Sequence, residues 1–563
     1  MDSMWWKNSI IYEIFPRSFK DSNGDGIGDI QGIISKLDYL KDLGVDAIWL
    51  CPVYPSPNND SGYDVSDYYD IWDELGTMED IEKLIVEMHK RDMKLIMELV
   101  ANHTSDEHEW FIESRKSKDN PYRDYYIWRP GKDGKEPNNW LSAKLGGSVW
   151  TYDDNTDEYY LHLYSSKQPD LNWENLKVRQ EVYNIMRFWF DKGVDGFRMD
   201  VINKIAKAPG LPDVERKEGD KRKYLPCEEY YENYPKVHDY LKEMNREVLS
   251  KYENKLAMGQ TSGVTPEQAY LYTGEDRGEL NLFLQFEHID IDRGSNNKKL
   301  PFNALEFKKS LAKWQTAMDG KLWNTLFFGS HDTSRPVSHY GNDKKYRVES
   351  AKMLATILFT LKGTPIIYQG EEIGMTNVRF ESIEDYRDIR THNVYRERYL
   401  EGGEKLEDVM QDIWELSRDN ARTPMQWDDS ENAGFTKGKP WIKPNPNYKE
   451  INVQKSLDDS NSILHYYKEI IKLRKSNEVL LYGDFRLIFE DDPNIFAYFR
   501  ELNKKKVLVI TNFSDKDIEI NLSREIRKID NFKLLISNYE VNEANIESIK
   551  LKPFEARVYE FGV

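Results

Sequence analysis

The chain has 563 residues, with 98 acidic against 79 basic side chains and a formal charge of −19. That balance argues against nucleic acid or an anionic membrane as partner, since either would select a basic face. Hydrophobic content of 39% with 13% aromatics excludes a disordered acidic chain.

Along the first two-thirds one unit recurs: an amphipathic helix, a glycine or polar break, a short apolar run, then polar residues. The residues up to Phe19 include Trp5, Trp6, Lys7, Glu13 and Arg17 and have no apolar signal core. No run of eighteen apolar residues follows, so a soluble, cytoplasmic protein is expected. Ile34, Leu37 and Leu40 sit at helical spacing before Gly44 and the run Val45 to Leu50. Ile81, Leu84, Ile85 and Met88 precede Leu95 to Val100 and the pair Asn102-His103. Val178, Val182, Ile185 and Trp189 precede Gly193 and a run ending at Asp200. Val237, Leu241, Met244 and Val248 precede a run ending at Gln260. Phe307, Leu311, Trp314 and Met318 precede Thr325 to Phe328 and His331-Asp332. Met353, Leu354, Ile357 and Leu361 precede Thr364 to Tyr368.

Continuous apolar runs between helices predict strands buried on both faces of a parallel sheet. Polar residues at several C-terminal strand ends favour a (β/α)₈ TIM barrel, whose active site lies there. From about Thr104 to Trp173 the chain turns polar and aromatic, which predicts a small domain (105–173) inserted after the third strand. From about Val479 the alternation changes to period two, which predicts a C-terminal antiparallel β domain (479–563). Residues 1–104 and 174–478 are left for the barrel. Two cysteines, Cys51 and Cys227, allow one bridge at most, and a core of this size needs none. Lys504 to Lys506 read as a solvated hairpin turn.

Three constellations carry chemistry. Asp21, Asn23, Asp25 and Asp29 place oxygen side chains at alternate positions among glycines, and the Ile27 carbonyl would complete a shell for a hard cation. Calcium with a structural role is the expectation, although Gly32 stands where an EF-hand would close with glutamate. Arg198 and Asp200, two apart on a strand, point the same way, so the arginine can hold Asp200 anionic as a nucleophile requires. His103, His331 and Asp332 at other strand ends suit ring hydroxyls, and the set reads as a sugar pocket. No His-Glu-x-x-His, Walker loop or Gly-x-Ser-x-Gly motif occurs.

With these residues in view, the chain resembles the oligo-1,6-glucosidase branch of glycoside hydrolase family 13, the α-amylase superfamily. The resemblance runs from Trp5-Trp6 essentially to the C-terminus. It is carried by Gly62-Tyr63-Asp64-Val65, Asn102-His103-Thr104, Gln168 to Trp173, Gly196 to Asn203, Tyr368 to Gly374 and Arg418 to Trp427. It implies Asp200 as catalytic nucleophile and Asp332 as transition-state stabiliser. It places Asp60, Tyr63, His103, Tyr164, Gln168, Arg198, His331 and Arg418 around the non-reducing-end glucose. Val201 looks like the α-1,6-preferring type, and the Asp21 to Asp29 loop looks like the family's calcium site. The expected substrates are isomaltose, panose and isomaltotriose, hydrolysed by a monomer.

One departure bears on catalysis. The family's acid/base is a glutamate in a Gly-Glu-x-x-Gly-Val-Thr frame, and here that frame reads Gly259-Gln260-Thr261-Ser262-Gly263-Val264-Thr265. A retaining glycosidase needs one carboxylate to attack and another to protonate the leaving oxygen, which an amide cannot do. Milder departures are Glu98 for the usual Asp, Thr333-Ser334 for a Gln-Pro pair, Tyr164 for Phe, and Lys144-Leu145. Two alternatives follow from these: a non-catalytic α-glucoside-binding or scaffold homologue, or, among enzymes, a trehalose-6-phosphate hydrolase or sucrose isomerase. The trehalose-6-phosphate alternative requires a basic cluster, for which Arg293, Lys298 and Lys299 are candidates.

Overall fold

The computed structural model describes residues 4–142, 146–294, 297–318, 322–526, 531–541 and 546–562, so Lys144-Leu145 lies outside the described residues. The chain divides into two compact units: Met1–Ile48 with Arg91–Met93 and Phe286–Val563, and Trp49–Lys90 with Lys94–Gln285. Eight short strands have the places of a (β/α)₈ strand set. They are β1 (Ile11–Ile14), β2 (Ala47–Leu50), β3 (Lys94–Val100), β4 (Gly196–Asp200), β5 (Leu256–Gln260), β6 (Leu282–Leu284), β7 (Thr325–Leu326) and β8 (Thr364–Tyr368).

In the first unit β7, β8 and β1 lie side by side and parallel, with Thr325 opposite Thr364 and Ile11 opposite Ile366. In the second, β3, β4, β5 and β6 are parallel in that order, with Glu98 opposite Arg198, Met199 opposite Gly259 and Gln260 opposite Leu284. The amphipathic pattern announces six of the eight strands. It passes over β1, which carries the buried charge of Glu13, and β6, which has only three residues.

The helices form where the spacing places them, for reasons visible at their ends. Thr77 and Asp80 close a reciprocal capping box on Met78–His89, whose buried residues are Ile81, Leu84, Ile85 and Met88. Asn175 caps Leu176–Asp191, which buries Val178, Val182, Ile185 and Trp189. Gly44 ends Leu37–Leu43 at φ +100°, where a Cβ would stand 2.8 Å from Ile471 Cγ2.

Within 105–173, strand Glu158–Leu161 is flanked by Trp128–Arg129 and Trp150–Asp153 in an antiparallel sheet. Its core of Trp140, Trp150, Leu161 and Tyr164 includes Val201, the residue after Asp200. Near the C-terminus five antiparallel strands run in the order Asp484–Ile488, Ile495–Leu502, Lys505–Asn512, Ala556–Phe561 and Phe532–Ser537. They bury Phe499, Leu508, Ile510 and Tyr559. The hairpin turn is narrower than expected: Asn503 takes the left-handed backbone at φ +55°, while Lys505 and Lys506 already pair in the strand.

Candidate active site

In the second unit the site is built on β4. Period-two alternation turns Arg198 and Asp200 to one face. Arg198 Nη1 donates to Asp200 Oδ1 at 2.8 Å and to Glu98 Oε2 at 3.0 Å, and Nη2 donates to Gln260 Oε1. Burial opposes the guanidinium's charge, and Glu98, Tyr63 and Asp200 outweigh it, so the Arg198 pKa lies well above its usual value. One guanidinium thereby links three strands.

Glu98 is more than the milder departure it seemed in the sequence. Its carboxylate also accepts from Trp49 Nε1 at 2.9 Å and Tyr63 OH at 2.8 Å, so it orients both Arg198 and Tyr63. The signal that could have exposed this role is its β-register opposite Arg198.

After β3, His103 Nε2 lies 3.2 Å from the Tyr63 carbonyl and 3.2 Å from Gln168 Nε2, which in turn donates to Asp60 Oδ2 at 3.4 Å. Burial lowers the His103 pKa, so its imidazole is neutral and can both donate and accept. Asp60 is held from behind by Asp64, whose Oδ1 accepts the Asp60 amide at 2.9 Å. Tyr164 sits 5.4 Å from His103, ring centre to ring centre. Asp60, Tyr63, His103, Gln168, Arg198 and Asp200 are therefore brought into one hydrogen-bonded group, with Tyr164 against it.

Val201 adopts φ +36°, ψ +40°, a conformation a β-branched residue rarely takes. Such strain persists only where surroundings over-determine it. Here the side chain is held in the inserted sheet's core, and the amide lies 3.4 Å from Gln260 Oε1.

In the first unit, His331 and Asp332 follow β7. Glu13, fully buried on β1, accepts the His331 amide at 3.2 Å and lies 2.6 Å from Nδ1. Asp332 Oδ1 accepts from Arg418 Nη1 at 3.2 Å and Arg422 Nη2 at 3.0 Å. Arg418 is also clamped on Asp388, at 2.9 Å from Nε and 2.6 Å from Nη2. Burial opposes charge on Asp388, but Arg418 and Arg422 outweigh it and hold its carboxyl below the ordinary range. Glu13, Asp388 and Arg422 were not singled out in the sequence. Arg422 could have been, since it stands four residues after Arg418, on one helical face.

The candidate phosphate-binding cations are each answered by an acid: Arg293 by Asp290 at 3.3 Å, Lys298 by Glu404 at 3.4 Å, and Lys299 by Asp292. In the glycine-rich loop, Asp21 Oδ1 accepts from the amides of Asn23 and Gly24, and Oδ2 accepts from the Gly26 amide and the Thr436 hydroxyl. Asp29 accepts from Ser22 and Gly32, Asn23 from Asp25, and Asp25 from Ile27. The turn is pre-formed, with Gly24 and Gly26 at φ +86° and +95°. Its donors are all oxygens, the set a hard cation takes.

The family model for the alpha amylase catalytic domain matches residues 13–483. The chain belongs to the alpha-amylase family. A second model, the C-terminal domain of alpha-amylase SusG, matches residues 495–558 of this family member. The chain is 61% identical over 562 residues to the oligo-1,6-glucosidase of Parageobacillus thermoglucosidasius, covering 99% of each. It is 59% identical to that of Bacillus cereus, covering 99% of this chain and 100% of the other. Among solved structures, trehalose-6-phosphate hydrolase of Bacillus licheniformis superposes with a TM-score of 0.93 at 47% identity, over 99% of this chain and all of that one. As an alpha-amylase family protein the chain is a glycoside hydrolase by descent, with the (β/α)₈ TIM-barrel fold and a C-terminal antiparallel β domain. Among the described residues no helix is long and apolar enough to cross a membrane.

Proposed function

We propose that this chain is a retaining, exo-acting α-glucosidase of the oligo-1,6-glucosidase type, acting as a cytoplasmic monomer on isomaltose, panose and isomaltotriose. Asp200 is its nucleophile, Asp332 its transition-state stabiliser, and Gln260 stands at the acid/base position. The observation that carries the reading is the Arg198 guanidinium, which donates to Asp200 and to the Gln260 carbonyl oxygen at once. Arg198 pairs with the Asp200 carboxylate that attacks, and it turns the Gln260 oxygen inward so that only the amide N–H₂ is left to meet the glycosidic oxygen. That group can hydrogen-bond the leaving oxygen but cannot transfer a proton to it.

The same logic supplies the test. α-Glucosyl fluoride needs no proton for its fluoride to leave, so Asp200 can form its ester with C1 unaided. The ester then persists, because water has no base to activate it. Mass spectrometry of a proteolytic digest should find a glucosyl adduct on the peptide containing Asp200. Absence of the adduct, with the sugar bound, would favour the second reading that Gln260 itself motivates, a non-catalytic α-glucoside-binding homologue.

We also infer a structural calcium ion in the loop, held by Asp21, Asn23, Asp25, Asp29 and the Ile27 carbonyl, where it would tie the turn together. Calcium at a hundred times its dissociation constant should add about 2.7 kcal/mol of stability. A chelator should therefore lower the heat-denaturation midpoint, and Asp21→Ala should abolish that response. A midpoint indifferent to both would remove calcium from the account.

A further inference from the structure

One charged pair beside the nucleophile is left without a role. Lys204, the fourth residue after Asp200, closes the short 3₁₀ turn Ile202–Lys204. Its Nζ lies 3.0 Å from Glu232 Oε2, with the two side chains 9% and 15% exposed. The ammonium also faces the rings of Tyr164 at 5.8 Å and Tyr231 at 5.3 Å. Tyr231 buries a hydroxyl that has no hydrogen-bond partner among the described residues.

The pair sits against the loop after β5. Glu232 Oε2 accepts from Ser262 Oγ at 3.4 Å, and Oε1 lies 1.8 Å from where a Cβ on Gly263 would stand. Only glycine there, at φ +65°, lets the carboxylate approach. Asn203 ties the same loop, donating to the Ser262 carbonyl at 2.8 Å and to Asn233 Oδ1 at 3.1 Å.

Strand order separates the two sides of Asp200. Glu98, which orients Arg198 and Tyr63, and His103, placed at the glucose by the reading above, belong to β3 and its loop, on one flank of β4, and Gln260 and Ser262 belong to β5 and its loop, on the other. An acid/base position faces the glycosidic oxygen, and the leaving sugar lies beyond it. We propose that Lys204 and Glu232 are specificity-determining residues that bind the leaving sugar, one head donating to its hydroxyls and the other accepting from them. This rests on the α-glucosidase reading above. Each sugar hydroxyl is both donor and acceptor, so an ammonium beside a carboxylate matches a polyol and disfavours an apolar leaving group.

On the α-glucosidase reading the unsubstituted chain holds substrate with little turnover, which suits it to titration calorimetry. Isomaltose carries a leaving sugar, and methyl α-glucoside carries none. Lys204→Met and Glu232→Gln should each weaken isomaltose about tenfold or more, as loss of hydrogen bonds to charged groups does. Methyl α-glucoside should shift by less than about twofold, and Lys204→Arg should recover part of the isomaltose affinity. Glu232→Gln keeps the side-chain volume, so it decides the matter even where Lys204→Met folds poorly. Equal losses for the two sugars, or no loss for either, would overturn the assignment and leave a structural ion pair. Failure of the unsubstituted chain to bind either sugar would instead overturn the α-glucosidase reading, and this proposal with it.

Discussion

Gln260→Glu is expected to raise the turnover of isomaltose and panose by about 10²–10⁴-fold, the range that general acid–base catalysis contributes. The substitution exchanges an amide for a carboxyl of nearly the same volume at the end of β5. It keeps the acceptor that Arg198 already uses and adds a proton that can pass to the glycosidic oxygen. In the second step the same carboxylate, now deprotonated, takes a proton from water and frees Asp200 of its ester. Both half-reactions therefore respond to one atom pair, which is why the expected gain is large. The restored rate should also fall at alkaline pH, because the acid must be protonated to act. A gain below about a hundredfold would mean that more than one residue has been lost from the machinery, and would favour the sugar-binding reading.

Arg198→Met is expected to destabilise the fold by about 3–5 kcal/mol, the cost of breaking a buried ion pair from one side. Arg198 is 2% exposed and Glu98 1%, and their strands are paired at those two residues. Removing the guanidinium leaves two carboxylates, Glu98 and Asp200, facing one another without their cation. It also releases the Gln260 carbonyl oxygen. Two like charges brought together in a buried site repel one another, and that repulsion adds to the cost. Urea unfolding monitored by tryptophan fluorescence would measure the loss, with Glu98→Gln in the same background as a comparison. If Glu98→Gln restores part of the stability lost in Arg198→Met, the cost arises from the unpaired charge. A loss under about 1 kcal/mol, as for an exposed pair, would show that water reaches this cluster freely.

The comparison of sequence with structure is instructive residue by residue. Helices were legible because a one-sided helix repeats its apolar residues every three or four positions, as Val178, Val182, Ile185 and Trp189 do. Asp200, His103 and Asp332 were legible because polar side chains at the ends of apolar runs stand out. β1 and β6 were not, because one hides a charge inside an apolar strand and the other is too short to show a period. The groups that support the site were largely missed. Glu13, Glu98, Asp388 and Arg422 are distant in sequence from the residues they hold, and nothing in a local pattern distinguishes a supporting carboxylate from a solvated one.

By itself, then, the sequence determined the fold class and the family, and it marked Asp200, Asp332 and Gln260 as the candidates for the proposed site, because each is written in local spacing or a contiguous motif. The tertiary structure alone decided how that charge surplus is used. It spends Glu98 on orienting Arg198 and Tyr63, Asp388 on clamping Arg418, and Glu232 on pairing Lys204. Those assignments depend on which strand ends and loops fold together, and burial makes an unpaired charge too costly to leave to chance.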